Sequence, residues 1–594
     1  MKIKFIIVLL CLVFYVGIYS QTATITTLMP SNIGYDSLVC GGNVSDTGGS
    51  NVTERGVCWN ITGNPTIFDN KLSNGSGLGT FLVNITSLLA NQKYYLRAYA
   101  INGSGVSYGS EVSVICRNDW TGGTSRDWNN SSNWGANNIP DKYTNVVIPN
   151  IANSPIILSN AEANRVVIET GGILTINASR SLTVYDSLII DGGLKILSDM
   201  SGVGIIITRN GIGGINKSNC EVEIYLKGQT IKDNLGKFHY VSSPVNGAVS
   251  DSFPDRIYYY DETNVGNVDD VSCCWVYANL AGSYVLDNGR GYAASVKNTK
   301  TIRLVGELND GDYNYLVTNS GKGLASDGWN MVGNPYPSAI DANAFISDAG
   351  NSHLSGSLYF WDDDNSGGGD YSYSDYAIWN GAGYVGGGGN KPNGYISPGQ
   401  GFFVKANSSG NVVFKNSMRT TEIGKFFKLN NDISRVYLYA KDLLTNNYNE
   451  MLIAFKEDAT DGYDNQYDAL KLKGNQYISF YSLMNGQPYA IQTFPKQIDE
   501  KTVDIGLTVG VSGNYRIGLS LVENIENKMN IYLYDKVLDK KINLKKGFYE
   551  FYSNSGIINN RFSVIFSESV MSGLTDSMVD YNNIKIIVND NEVL

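Results

Sequence analysis

Histidine is nearly absent from this chain: His239 and His353 are the only two in 594 residues. Serine–histidine chemistry would need one of them beside a positioned serine, but His239 lies in a strand-like run and His353 in a Gly/Ser loop. Cationic residues are outnumbered, with 45 Lys and Arg against 56 Asp and Glu and a net charge of −11. Phosphate contacts need a basic surface, so nucleic acid and anionic lipid are not expected partners. After the first twenty residues no stretch approaches the roughly 18 apolar residues of a membrane span, so no transmembrane segment is expected in the mature chain. Phosphate-cradling glycine motifs are missing too: Gly386–Gly389 lacks the Lys-Ser/Thr and the strand–helix setting. The cysteine and histidine spacings fit no zinc site. These gaps argue against an enzyme, although a pair of glycosidase carboxylates would leave no mark in sequence spacing.

What is present begins with an export signal. Lys2 and Lys4 precede an apolar run from Phe5 to Val16, followed by Gly17-Ile-Tyr-Ser20. The run is too short to span a bilayer, and cleavage is expected after Ser20. Six cysteines then remain, and an exported chain permits disulfides, each worth ~2–5 kcal/mol in a small domain. Cys40, Cys58 and Cys116 share one domain, so at most one pair forms there, while the adjacent Cys273 and Cys274 are poorly placed to bond each other. Sixty-five Gly, 40 Tyr and only 17% charged residues, with many short β-branched or aromatic runs, predict an all-β, multidomain chain.

Five regions follow the signal peptide at 1–20. Residues 22–116 read as a β-sandwich, in which Tyr94, Leu96, Ala98 and Ala100 share a face and Leu88, six residues before Tyr94, has the spacing of a tyrosine corner. Residues 117–218 hold Trp120, Trp128 and Trp134, either a carbohydrate platform or the cap of a β core. They also hold the triplets Val166–Ile168, Leu174–Ile176, Leu182–Val184, Leu188–Ile190, Leu194–Ile196 and Ile205–Ile207, which predict a short β-solenoid. Residues 219–424 contain a duplication. His239-Tyr-Val-Ser-Ser-Pro-Val245 is echoed by Trp329-Asn-Met-Val-Gly-Asn-Pro-Tyr-Pro337, and Gly289-Arg-Gly-Tyr292 by Gly399-Gln-Gly-Phe402. A sandwich of roughly eight strands is expected over 425–566, and 567–594 joins a linker to the first strand of one more domain.

Two segments carry candidate chemistry. Asp362, Asp364, Ser366 and Asp370 offer hard oxygens at mostly alternate positions, and calcium is the one cofactor they suit. The alternative is a solvated acidic hairpin. Trp361, Tyr371, Tyr373, Tyr376 and Trp379 would form an aromatic strip for a glycan or a cell-surface protein if exposed, and would cover a sheet if folded back. Asp461, Asp464 and Asp468 make a second acidic loop, where turn capping is the commoner role.

The segment Asp46-Thr-Gly-Gly-Ser-Asn-Val-Thr-Glu-Arg-Gly-Val-Cys-Trp59 resembles strands of a bacterial branch of the fibronectin type III family, which implies a spacer or binding module. Gly328-Trp-Asn-Met-Val-Gly-Asn-Pro-Tyr-Pro-Ser-Ala-Ile-Asp341, Ser397-Pro-Gly-Gln-Gly-Phe-Phe-Val404 and Ala459-Thr-Asp-Gly-Tyr-Asp-Asn-Gln-Tyr-Asp468 together resemble proteins exported by the type IX secretion system. That resemblance implies the type IX machinery as a partner and a secreted or outer-membrane cell-surface location. It implies an adhesive or structural role, with polysaccharide capture as the alternative. The family's C-terminal sorting domain is matched only by its opening strand from Asn583, so an incomplete sorting domain is expected.

Overall fold

The computed structural model describes residues 21–568 apart from 35, 90–91, 231–235, 254, 265–273, 325, 363–374, 387–390, 423–431 and 497–499, together with 588–589 and 592–593. The expected signal peptide lies outside the described residues. Strand accounts for 53% of the chain and helix for 4%, so the protein is all-β, with several sheets and a β-solenoid of about three turns. It divides into two units, residues 1–155 with 161–169, and residues 156–160 with 170–594.

In the first unit, strands Thr24–Ser31, Leu38–Asp46 and Gly79–Ile85 form one sheet. Glu54–Asn60, Asn70–Ser73, Lys93–Asn102, Gly105–Tyr108 and Val112–Ile115 form the other. Period-2 alternation sends Tyr94, Leu96, Ala98 and Ala100 inward, where they meet Leu38, Cys40 and Phe81. The Leu89 main-chain N–H donates to the Tyr94 hydroxyl at 2.9 Å, closing the tyrosine corner. Trp120, Trp128 and Trp134 are all buried. Trp134 packs edge-on against Trp120 at 4.9 Å and Trp128 at 4.7 Å. The indole N–H groups of Trp120 and Trp134 donate to the carbonyls of Asn153 and Trp128, both at 2.7 Å. These rings cap a core and present no platform to solvent.

The solenoid triplets behave as their spacing predicts: both ends of all six are 2% exposed or less. In the second unit Ile173–Ile176 pairs in parallel with Gly193–Ile196, Ser181–Val184 with Ile205–Thr208, and Leu188–Ile190 with Ile212–Gly213. Stacking such short rungs buries one continuous apolar column that no single rung could close.

The duplication is complete at the level of topology. In the first copy Lys237–Val241 pairs with Tyr292–Val296, which pairs with Arg256–Tyr260, which pairs with Trp275–Tyr277. In the second, Trp329–Gly333, Gly401–Lys405, Leu358–Asp362 and Asp375–Trp379 follow the same order. The copies also bridge each other reciprocally. Val241 pairs with Gln400, and their sequence counterparts Val332 and Arg290 pair in the same way. Such mutual pairing is the signature of a two-fold-like contact between related halves.

Strands from Ser434–Asp442 to Gly556–Ser567 build an 11-stranded sheet, larger than the eight or so strands expected, because short strands such as Ala469–Leu470 and Lys540–Asn543 carry little pattern of their own. Val436, Leu438 and Ala440 face one apolar core while Tyr437 faces another, so Ser434–Asp442 is buried on both sides. Near the C-terminus Val588–Asn589 pairs with Glu592–Val593.

The disulfide expectation is corrected. Among the described residues Cys40, Cys58, Cys116 and Cys220 are buried free thiols; Cys274 is buried, and Cys273 lies outside the described residues. Burial pushes Cys40, Cys58 and Cys116 up to about 11 and Cys220 to about 12. Cys40 and Cys116 pack as small apolar groups in the first unit's core.

Candidate functional site

Cross-strand register sets one row of aromatics on the first copy's sheet. Tyr240 lies opposite Ala293, Ala293 opposite Tyr258, and Tyr258 opposite Tyr277, so all four share a face, joined by Phe238, Tyr260 and Trp275 two residues along. The central strand contributes only Ala293 and Ser295, and the larger rings lean over them from both sides. Phe238 and Tyr258 approach to 6.3 Å, and Tyr258 and Tyr277 to 5.5 Å. Phe238, Tyr240, Tyr258, Trp275 and Tyr277 are each partly exposed.

The inner end of this row is wedged against the second copy. Phe403 meets Tyr260 at 4.8 Å, Tyr240 at 5.7 Å and Trp275 at 5.8 Å, each close to edge-on. Trp361 stacks on Tyr240 at 5.9 Å and 27°, and meets Tyr376 edge-on at 5.2 Å. The Tyr240 and Tyr376 hydroxyls hydrogen-bond at 3.0 Å, and burial drives both phenols well above their ordinary pKa.

The proposed aromatic strip is therefore only partly as expected. Tyr376 and Trp379 are buried on opposite faces of Asp375–Trp379, which forms a hairpin with Leu358–Asp362. Tyr376 packs in the inter-module core with Phe403 and Tyr437, and Trp379 in the second copy's own core with Val332 and Phe402. They do not face solvent, and the alternative in which the aromatics cover a sheet holds for these two. Trp361 keeps partial exposure. Tyr371 and Tyr373 lie outside the described residues, as do Asp364, Ser366 and Asp370. Of the expected calcium ligands only Asp362 is placed, and it is buried at the end of its strand. No group of three or more His, Cys, Asp or Glu able to hold a metal occurs among the described residues.

Behind the hairpin, Asp375 and Lys471 form a buried ion pair at 2.9 Å, with side chains 1% and 3% exposed. Asp375 Oδ1 accepts the main-chain N–H groups of Tyr376 at 2.8 Å and Gly474 at 3.0 Å, and Oδ2 accepts the Asn449 amide. A carboxylate so fully satisfied is a structural anion, which ties the hairpin to the large sheet.

The second acidic loop is a set of caps. Asp464 accepts the Thr460 N–H at 2.6 Å; Asp468 accepts the N–H groups of Asp464 at 2.8 Å and Thr493 at 2.7 Å; Asp461 pairs with Lys501. Burial, opposed by those two N–H groups, pushes Asp468 up to about 7.

Sequence reasoning missed Phe238, Tyr240, Tyr258, Trp275 and Tyr277. Their signal was available in Arg256-Ile-Tyr-Tyr-Tyr260 and Trp275-Val-Tyr277, where aromatics recur at alternate positions.

A family model described as "Domain of unknown function (DUF8693)" matches residues 119–566. No curated protein matches the chain. Among solved structures, the chain is similar to the sensor domain of the anti-sigma factor RsgI4 of Pseudobacteroides cellulosolvens, at 14% identity over 16% of this chain and 95% of that one, with a TM-score of 0.14. It is also similar to the pectate lyase PelI of Erwinia chrysanthemi, at 14% identity over 34% and 82%, with a TM-score of 0.12. Likeness at that level carries no argument about function. No helix among the described residues is long and apolar enough to cross a membrane.

Proposed function

The chain belongs to the DUF8693 family, and we propose that this member is a non-catalytic protein of the cell exterior with an adhesive or structural display role. Export by the type IX pathway and a secreted or outer-membrane cell-surface location are part of the same reading. The signal-like start from Lys2 to Ser20 and the motifs around Trp329, Phe402 and Asp464 support it. The observation that carries it is the aromatic wedge around Phe403, which joins both copies of the duplicated module in one core with the large sheet. Modules joined by packed rings make a rigid scaffold on which a surface can be displayed. Antibody against the first unit should label intact cells; labelling that requires permeabilised cells would contradict the reading.

A second reading, glycan capture, is favoured by one observation: the partly exposed row Phe238, Tyr258 and Tyr277. Rings of this kind expose apolar faces on which a sugar can stack, with hydroxyl groups at the edge for hydrogen bonds. It predicts glycan-array binding that disappears in Tyr258→Ala and Tyr277→Ala. An array blank for the wild-type chain would leave display alone.

A further inference from the structure

A second cluster joins Glu262, just past the first copy's Arg256–Tyr260 strand, to the loop that leads into Trp329–Gly333 of the second copy, and its hydrogen bonds do not add up. The Ser320 hydroxyl lies 2.9 Å from Glu262 Oε2 and 2.8 Å from Asp327 Oδ1. A hydroxyl has one proton, so it can satisfy one carboxylate at a time, and the other contact then sets two acceptors against each other. Glu262 is 1% exposed, accepts a long bond from the Gly328 N–H at 3.4 Å, and its Oε1 has no hydrogen-bond partner at all. Ser326, fully buried and adjacent to Asp327, likewise leaves Oγ unpartnered. A buried carboxylate oxygen without a donor is costly and calls for a counter-charge.

Two cations lie close, yet neither bonds the open oxygen: Lys405 acts electrostatically on both carboxylates, and Lys322 donates to the Thr263 carbonyl at 3.2 Å. Lys405 donates to the Asp327 main-chain carbonyl at 2.8 Å and lies over the Trp329 ring at 5.2 Å, so its ammonium bonds neither carboxylate. Asp327 is held in place from its other side, where Oδ2 accepts the N–H groups of Gly323 at 2.6 Å and Leu324 at 3.1 Å. The loop turns there through Gly321 and Gly323 at φ 61° and 75°, a backbone that suits glycine.

We propose that Glu262, Ser320 and Asp327 form a calcium site. The donors are hard oxygens, two carboxylates and a hydroxyl, which is calcium chemistry. Their irregular loop setting suits calcium better than magnesium, which demands near-ideal octahedral geometry. A bound cation would occupy the unpaired Glu262 oxygen and relieve the shared Ser320 contact in one step. The strand registers equate Tyr258 with Tyr359, so Asp261-Glu262 stands in the first copy where the expected calcium segment opens with Asp362 in the second.

Calcium chloride titrated calorimetrically into the EDTA-dialysed full mature chain tests the site. The expected result is saturable binding weakened at least tenfold in Glu262→Gln and unchanged at this site in Asp362→Asn. Should Glu262→Gln fail to fold by circular dichroism, Ser320→Ala removes only a hydroxyl and should weaken binding in the same direction. No saturable heat in the wild-type chain, binding of wild-type strength in the folded Glu262 and Ser320 variants, or binding abolished by Asp362→Asn alone would each overturn the proposal.

Discussion

Ser242 donates its main-chain N–H to the Gly399 carbonyl at 2.8 Å, and its counterpart in the other copy, Gly333, donates to Gly289 at 3.0 Å. The same hydrogen bond is thus made twice, once in each direction between the halves. Together with the paired bridges at Val241 and Arg290, it means that neither copy completes its backbone bonding alone.

The reciprocal contact leaves no room at Gly333, where an added Cβ would sit 2.3 Å from Ser242 Cβ. Gly333→Ala should destabilise the protein by about 1–3 kcal/mol in urea unfolding, the usual scale of overpacking. An unchanged midpoint would show that the copies can separate without cost.

Phe403 is the ring shared by both copies. Phe403→Ala should lower stability by about 3–5 kcal/mol, the range for emptying a buried aromatic site. Phe238→Ala, at the partly exposed end of the row, should cost far less. Equal losses would place the core elsewhere.

The Asp375–Lys471 pair should resist separation. Breaking one partner with Lys471→Met should cost about 3–5 kcal/mol, because it strands a buried charge. The double variant Asp375→Asn, Lys471→Met should recover part of that loss. A double variant as unstable as the sum of the singles would show no coupling between the two side chains.

Asp468 predicts a pH effect. Its folded pKa of about 7 lies above its ordinary value of 3.8, so the folded state holds the extra proton. That contribution to stability is fully present below pH 4 and is lost as pH rises towards 7. Wild-type stability should fall relative to Asp468→Asn between pH 4 and 7, with a slope of up to about 1.4 kcal/mol per pH unit. Parallel pH profiles would show that Asp468 titrates normally.

Much of this architecture was legible in the residues, and the reasons are physical. The solenoid triplets announce themselves because a period of two with apolar ends has one way to bury both ends. The duplication is visible because Gly-x-Gly-aromatic recurs where the chain must pass close to its sister copy. The tyrosine corner followed from a phenol and a turn at fixed separation. What could not be read was the direction of the aromatics. Tyr376 is turned inward by Phe403 and the large sheet, while Trp379, three residues on, faces the opposite side and is buried in the second copy's own core. The Glu262–Ser320–Asp327 cluster was hidden for another reason. Its members come from two loops 58 residues apart and meet only when the sheet is assembled.

The most direct test of the display role is attachment by living cells. A strain lacking this protein should adhere poorly to its substratum and recover when the full chain is restored. Attachment that is unchanged by the loss would contradict the account.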